Sequence, residues 1–368
     1  MSKVLDDVPG QEQAMSFLKQ AAVRPHHAYV LAGPEGGGKR LAMYAFAAAL
    51  LCPTGGCGEC RACRLALEGH HPNMWVVEPE GRGIPVDAIR TEVWHNAHRT
   101  ALEPGRKIFV IREADRLTPE AADALLKVLE EPPADAVLLL SSARPDELPP
   151  TILSRCHMVT FQPLEESFVV EALVAGGAMA ERALLAARLT GGNIGRARRM
   201  VARDDGFAFR DIARQALGRA DEGSRGAVAA ADLVLKAAAE EKDNRKKQRK
   251  TELDPFKGAR GDDTYRSEIT RIEARHKRLE RRDERDYLDS VLLAAASLLR
   301  DRVFVGVGGS ADGRLNLDVE PGHEPIDRAA REIGYLEEAR SALADETNLN
   351  AKLVLEHAFL RIAIGRTY

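Results

Sequence analysis

A glycine-rich segment with a single lysine carries the clearest chemical signal in the chain. It reads Gly-Pro-Glu-Gly-Gly-Gly-Lys-Arg over residues 33–40 and follows the apolar run 28–32. Glycines at this spacing let consecutive backbone N–H groups face a phosphate group, and the lysine can reach the outer phosphates. The residues that would bind phosphate are Gly33, Gly36, Gly38 and Lys39. The pattern predicts a phosphate-binding loop between a strand and a helix; a chance glycine-rich connector is the alternative.

Two arginines occupy positions where a nucleotide hydrolase needs magnesium ligands. Arg40 follows the lysine, where a serine or threonine hydroxyl normally binds the metal. Arg112 follows the apolar run 108–111, where an acid normally holds the magnesium shell. A guanidinium is a cationic donor and cannot replace an oxygen ligand. We therefore expect weak nucleotide binding or none, and no hydrolysis; Glu113 and Asp115 are either remaining catalytic acids or solvated loop residues.

Four of the five cysteines lie close together, at Cys52, Cys57, Cys60 and Cys63, whereas Cys156 lies far along the chain. Four thiolates at this spacing favour a tetrahedral zinc site, and four cysteine ligands leave no open position for catalysis. The site is therefore predicted to be structural. Disulfides or inert thiols are the alternatives.

The elements around these residues follow recognisable patterns. Apolar runs at 28–32, 108–111 and 136–140 are typical of buried parallel strands. A helical pattern that begins near residue 121 stops at the paired prolines 132–133. Ser141 and Ser142 follow the third apolar run, where they would either contact a terminal phosphate or cap the next turn.

Composition bounds the class of protein. With 368 residues, of which 45% are hydrophobic, the chain can form two to three domains. The net charge of −3 gives no global signature of nucleic-acid binding. No apolar signal peptide opens the sequence and no apolar run of about 18 residues occurs, so we expect a cytoplasmic protein with no membrane segment and with reduced thiols.

Several motifs together resemble one family. The cysteine cluster lies inside a P-loop region, the sequence LLKVLEEPP covers residues 125–133, and LPPTILSRC covers residues 148–156. The chain is similar in these motifs to the AAA+ clamp-loader subunits of bacterial DNA polymerase III, and specifically to those of the delta-prime type. The resemblance covers residues 1 to about 203 and resumes more weakly at 348–356. The alternative within the family is an ATP-hydrolysing gamma/tau-like motor subunit, from whose pattern Arg40 and Arg112 depart.

The resemblance implies an α/β fold with three domains. Residues 1–163 would form an AAA+ P-loop domain with a parallel sheet and a zinc knuckle at 52–63. Residues 164–205 would form a small helical lid, and residues 206–368 an all-α collar that assembles a ring. Helical periodicity at 228–239, 287–302, 326–344 and 350–364 agrees with the collar.

The resemblance also implies roles for two further arginines. Arg155, in the Ser-Arg-Cys motif, would project across a subunit interface towards ATP bound by a neighbouring motor subunit; the alternative is an arginine that bonds carbonyls at the end of its own helix. Arg196 matches the sensor-2 arginine of the lid, which in active relatives contacts nucleotide. In this chain it would either keep that contact or attach the lid to the base domain.

The function implied is that of a non-catalytic subunit. Its partners would be gamma/tau and delta subunits in a hetero-pentameric ring, and through that complex the sliding clamp and primed DNA. Its cofactors would be structural Zn²⁺ and, weakly if at all, ATP or ADP.

One region departs from typical family members. Residues 240–286 are dense in charge, and within them residues 242–250 hold six bases and one acid. The region is predicted to be a solvated helical extension or an arm without stable structure; direct contact with DNA phosphates is the alternative.

Overall fold

The computed structural model describes residues 2–79, 83–203, 205–250, 263–322, 325–344 and 350–365. Within these ranges, only the backbone is described for residues 248–250, 263–282 and Ala311. The chain divides into two compact units. The first comprises residues 1–176 and 190–196, and the second comprises residues 177–189 and 197–368. The predicted three-domain division stays a prediction.

A parallel sheet forms the centre of the first unit. Its strands lie in the order β2-β3-β4-β1-β5, and every pair of neighbours is parallel. The strands are β1 Ala28–Ala32, β2 Met74–Val77, β3 Lys107–Ile111, β4 Ala136–Ser142 and β5 His157–Thr160. The α/β fold class with a parallel sheet is thereby confirmed, as are the three strands predicted from apolar runs.

Burial on both faces explains why the central strands are continuous apolar runs. All residues of β1, β3 and β4 are buried. Alternate side chains of β1 contribute to different cores: Tyr29 and Leu31 to one, and Ala28, Val30 and Ala32 to the other. Successive side chains of a strand point to opposite faces, so both faces of this sheet must be covered by helices.

Helices connect these strands. Those of the first unit are α1 Lys3–Asp6, α2 Glu12–Val23, α3 Lys39–Leu51, α4 Arg61–Glu68, α5 Val86–Ala88, α6 His95–Ala97, α7 Pro119–Glu130, α8 Pro150–Leu153 and α9 Glu166–Ala175. A short π-helix covers Ile89–Trp94. Two helices cross the boundaries between the units: α10 Ala180–Thr190 and α11 Ile194–Val201.

The described elements of the second unit are helical. They include α12 Ala208–Ala220, α13 Ser224–Lys250, α14 Asp263–Gly306, α15 Ile326–Ala344 and α16 Ala351–Ile364. Alanine and leucine side chains from these helices share one buried core. The four helices predicted from periodicity are present, and two of them are longer than predicted. Asn348 and Leu349, which open the weaker C-terminal resemblance, lie outside the described residues.

Ion pairs join α13 and α14 where the predicted charged extension begins. Lys242 donates to Glu284 at 2.7 Å, and Arg245 donates to Asp283 at 2.8 Å. Asp283 is buried. The backbone is helical on both sides of residues 251–262, which lie outside the described residues. At least two of the six bases of the run, Lys242 and Arg245, are thus engaged within the described part of the protein, which supports a helical extension here. DNA contact by this run stays a prediction.

A buried polar network attaches a loop to the helices of the second unit. Arg210 on α12 donates to both carboxylate oxygens of Asp318, at 2.8 and 2.6 Å, and to the side-chain oxygen of Asn316 at 2.9 Å. Asp301 on α14 accepts from the backbone N–H groups of Leu315 and Asn316, at 2.8 and 2.7 Å. The hydrogen bonds from Arg210 hold the pKa of Asp318 below its ordinary value. The loop is therefore fixed by charge-assisted bonds.

We expect Arg210→Ala to destabilise the second unit by about 2–4 kcal/mol, because it leaves buried polar atoms of this network without a donor. Arg214→Ala is the matched control one turn further along α12. Its partner Asp211 and Arg214 itself are both exposed, so the change should cost at most about 1 kcal/mol. Hydrogen exchange at the amides of Leu315 and Asn316 measures the loss of stability in each of the two variants. Equal protection in the two variants would contradict the assigned role.

Among the described residues, no helix is both long and apolar enough to cross a membrane.

Candidate phosphate-binding loop, cysteine cluster and surface arginine

The phosphate-binding loop has the backbone conformation that its glycines predict. It connects β1 to α3, and Gly36 and Gly38 have φ values of 78° and 90°. A Cβ atom at Gly33 would lie 2.2 Å from the carbonyl oxygen of Phe161, and one at Gly36 would lie 2.2 Å from the side chain of Asn193. Larger residues would therefore clash at Gly33 and Gly36, and φ alone favours glycine at Gly38.

Lys39, the first residue of α3, turns back onto this loop. Its Nζ atom donates to the carbonyl oxygens of Gly33 and Pro34, the latter at 2.7 Å. Burial lowers the pKa of Lys39 below its ordinary value. The loop thus keeps the lysine and the helix N-terminus that can attract a phosphate group.

Gln11 forms hydrogen bonds that connect the loop to the segment after β5. This role was not predicted from the sequence. Its buried side chain donates to the carbonyl oxygens of Gly37 at 3.0 Å and Gln162 at 2.7 Å. It also accepts from the N–H group of Gln162 at 3.1 Å. The available signal was a polar residue between Gly10 and the start of α2, which is too common to single out.

The two arginines at the expected metal positions are engaged outside the loop. The guanidinium of Arg40 lies over the ring of Tyr44, 5.4 Å from its centroid. Arg112 forms an ion pair with Glu78, which follows β2. Since β2 and β3 are neighbours in the sheet, their carboxyl ends bring these two residues together. Neither position supplies an oxygen ligand for magnesium.

The acids beyond β3 stabilise the adjoining turn. Asp115 accepts from the N–H group of Ala143 at 3.2 Å and pairs with Arg144 at 3.5 Å. The N–H group of Glu113 donates to Ser141 Oγ at 3.2 Å, and Glu113 is the non-glycine residue with a positive φ, 53°, among the described residues. These contacts support structural roles for both acids. A catalytic role is not needed to explain their positions.

Asn193, which directly precedes α11, lies against the loop. Asn193 packs beside Gly36, and its side-chain oxygen accepts from the backbone N–H group of Arg196 at 2.9 Å. Ser142 Oγ accepts from the N–H group of Arg144 at 3.0 Å, which is the turn-capping alternative for that residue. Phosphate contacts of Arg196, Ser141 and Ser142 stay predictions.

The four clustered cysteines converge on one point. All four Sγ atoms lie within 4.8 Å of one another; the Cys52–Cys60, Cys52–Cys57 and Cys57–Cys63 separations are 3.7, 3.8 and 4.0 Å. Disulfide sulfurs would be about 2.05 Å apart. A tetrahedral zinc ion with Zn–S bonds of about 2.3 Å requires sulfurs about 3.8 Å apart. The cluster could therefore hold a metal ion, and its donor set and spacing fit that geometry.

Local hydrogen bonds favour ionisation at Cys52 and Cys57, whereas burial raises the pKa of the Cys63 thiol. The N–H groups of Cys60 and Cys63 donate to the sulfurs of Cys57 and Cys60, both at 3.4 Å. Although burial opposes ionisation, hydrogen bonds from Thr54 and from the backbone N–H groups of residues 54, 56 and 57 lower the pKa of Cys52 to about 5. Such bonds favour the thiolate form that metals bind.

The cysteine cluster and the loop are far apart. Lys39 begins α3 and Cys52 follows its end, with 13 helical residues between the two ends. At about 1.5 Å per residue, this helix separates them by about 20 Å. A metal bound by the cysteines therefore cannot contact a phosphate group held by the loop, which agrees with the predicted structural role.

Arg155 lies on the surface at the amino ends of the strands, whereas the loop lies at their carboxyl ends. It precedes β5, whose first residue His157 pairs with Tyr29, whereas the loop follows the carboxyl end of β1. The length of a short strand, about 10–15 Å, separates the two edges. Arg155 donates to Thr151 O at 3.0 Å, Ser154 Oγ at 3.2 Å and Glu130 Oε1 at 2.9 Å. Arg155 therefore cannot act on a phosphate group in its own loop.

Comparison with known proteins confirms the resemblance over the N-terminal part of the chain. Residues 10–165 match the family model described as DNA polymerase III, delta subunit. A relative from Pseudomonas aeruginosa named DNA polymerase III subunit delta′ is 45% identical over 157 residues, which are 41% of this chain and 47% of the relative. The corresponding relative from Escherichia coli is 38% identical over 203 residues, 53% of this chain and 60% of its own.

A relative with a different subunit name also matches the chain, at lower identity. DNA polymerase III subunit tau from Bacillus subtilis is 32% identical over 171 residues, covering 45% of this chain and 30% of the relative. The chain spans about half the length of the delta-prime relatives that it matches.

Proposed function

We propose that this chain is a delta-prime-type subunit of the clamp loader of a bacterial DNA polymerase III, and that it supports DNA replication without hydrolysing ATP. Its partners are gamma/tau and delta subunits in a hetero-pentameric ring in the cytoplasm. The complex loads the sliding clamp onto primed DNA. The match of residues 10–165 to the family model and the similarity to delta-prime and tau relatives support this assignment.

The position of Arg155 is the observation on which the proposal depends. A partly exposed guanidinium at the end of the strands opposite its own glycine-rich loop has no phosphate substrate within its own unit. A neighbouring subunit that binds ATP at this surface would supply one. The planar guanidinium can form two parallel hydrogen bonds to phosphate oxygens and stabilise the charge that develops on the transferred group.

The degenerate loop fits a subunit that assists hydrolysis elsewhere. Gly36 and Gly38 keep the positive φ values of such a loop and Lys39 lies against it, while Arg40 and Arg112 leave both metal positions without an oxygen ligand. We propose that the loop binds ATP or ADP weakly or not at all. Arg196 would then attach the lid segment to the base of this unit.

We propose that the metal held by Cys52, Cys57, Cys60 and Cys63 is Zn²⁺. Reduced thiolates in a closed set of four select zinc among the divalent ions common in cells. The ion would stabilise the loop between α3 and α4 and supply no catalytic step.

Isolated protein is expected to hydrolyse no ATP above background, because neither metal position can bind magnesium. The same chain, purified with gamma/tau and delta subunits, should form a stable complex with DNA-stimulated ATPase activity. Lys39→Ala should leave the activity of the complex within about two-fold, since a loop without turnover contributes only binding. Magnesium-dependent turnover by the isolated chain that is lost in Lys39→Ala would indicate a gamma/tau-like motor instead.

A further inference from the structure

Glu130 is the charged partner of Arg155. It is the last residue of α7, and its Oε1 atom lies 2.9 Å from Arg155 Nη2. The two residues are 25 positions apart in the chain. Both side chains are accessible, at 36% for Arg155 and 52% for Glu130. The ion pair therefore lies on the same surface from which Arg155 would reach a neighbouring subunit.

The remaining contacts of Arg155 are uncharged. Its Nη1 atom donates to the backbone oxygen of Thr151 and to Ser154 Oγ. A guanidinium that binds a phosphate group through two parallel N–H bonds must direct its fork away from its present acceptors. Among the described contacts of Arg155, the carboxylate of Glu130 is the anionic one, so it competes most directly with phosphate for the fork.

We propose that Glu130 restrains Arg155 on its own subunit, and that the outer phosphates of ATP on the neighbouring subunit displace this carboxylate when the interface closes. Glu130 is thus a positioning residue that opposes premature engagement of the arginine. This inference rests on the proposed function of Arg155.

The test uses the assembled complex and replaces Glu130 with glutamine. Glu130→Gln keeps a side-chain oxygen that can accept a hydrogen bond from Arg155, but removes the charge. Because exposed ion pairs are worth at most about a factor of five in an equilibrium constant, the ATPase rate in single-turnover reactions should rise about two- to five-fold. The ratio of variant to wild-type rates should approach one as salt is raised, since salt screens the ion pair in the wild type.

Two matched variants isolate the effect. Glu131→Gln removes an equally negative, exposed side chain one residue further on and should leave the rate unchanged. Glu130→Gln combined with Arg155→Ala should have the same rate as Arg155→Ala alone, because the carboxylate acts through the arginine. Light scattering and thermal unfolding of every complex verify assembly and folding.

The outcomes separate this inference from the proposed function. If Arg155→Ala lowers the rate but Glu130→Gln leaves it unchanged or lowers it, the restraint is wrong and the proposed function stands. A rise that persists in the Arg155→Ala background, or that Glu131→Gln reproduces, also overturns the restraint. If Arg155→Ala itself has no effect, the catalytic contribution of the arginine fails and the restraint fails with it.

Discussion

Replacing Arg155 with alanine is expected to lower ATP hydrolysis about 10³-fold or more at the one site that this residue faces in the assembled complex. The reason is that the planar guanidinium would stabilise charge on the transferred phosphoryl group, which water stabilises less well. The steady-state ATPase rate and the rate of clamp loading on primed DNA should fall only partially, because the family resemblance implies that other ring interfaces carry arginines from the motor subunits. Single-turnover hydrolysis, resolved by site, is the decisive measurement.

Arg155→Lys should restore little of this activity, since a point charge lacks the fork that matches two phosphate oxygens. Ring assembly should be unchanged in both variants. The ion pair with Glu130 is partly exposed, so its loss should cost at most about 1 kcal/mol of stability. A complex with Arg155→Ala that hydrolyses ATP and loads the clamp at wild-type rates would reduce the residue to the helix-end contact with Thr151.

The phosphate-binding loop was predictable because its signal is local. Gly36 and Gly38 adopt backbone conformations that other residues rarely adopt, and the short apolar run of β1 directly before the glycines is typical of a buried strand. The same holds for the cysteines, whose spacing brings four sulfurs close enough together to hold one ion. Local sequence spacing thus determines both the loop and the metal cluster.

The partners of the arginines could not be predicted, because they depend on strand order and on distant chain segments. Arg112 meets Glu78 only because β2 and β3 are neighbours. Arg155 meets Glu130 only because the end of α7 lies near the turn before β5. Arg40 is the instructive intermediate case: Tyr44 lies four residues further along α3, so a helical spacing rule could have placed the guanidinium over that ring.

The charged extension shows a different limit. Composition predicts a solvated helical extension or an arm without stable structure over residues 240–286, and the described residues of that region belong to α13 and α14. The pairing of Lys242 with Glu284 and of Arg245 with Asp283 joins residues about forty positions apart. Charge counts along the run cannot distinguish bases paired within the protein from bases available to DNA.

Removal of the metal ligands should produce the largest change in local stability. We expect one Zn²⁺ per chain in the wild type and none in a Cys57→Ser, Cys60→Ser variant, because two of the four thiolates are lost. Zinc binding to small cysteine-rich sites is worth about 10–16 kcal/mol, which is far more than this loop can recover from packing. Metal analysis of freshly purified protein gives the stoichiometry, and Cys156→Ala serves as the control that should retain the ion.

The loss of structure should extend to the N-terminal helix but stop before the phosphate-binding loop. The N–H group of Val4 donates to Gly56 O at 3.3 Å, and Lys3 pairs with Glu59 at 2.8 Å, so α1 rests partly on the cysteine loop. Beyond it, Gln11 is held independently by its bonds to Gly37 and Gln162. Hydrogen exchange should therefore accelerate at residues 3–6 and 52–68 and remain slow in β1, β3 and β4. Wild-type protection at residues 52–68 in the metal-free variant would mean that packing against α3, rather than the ion, stabilises this segment.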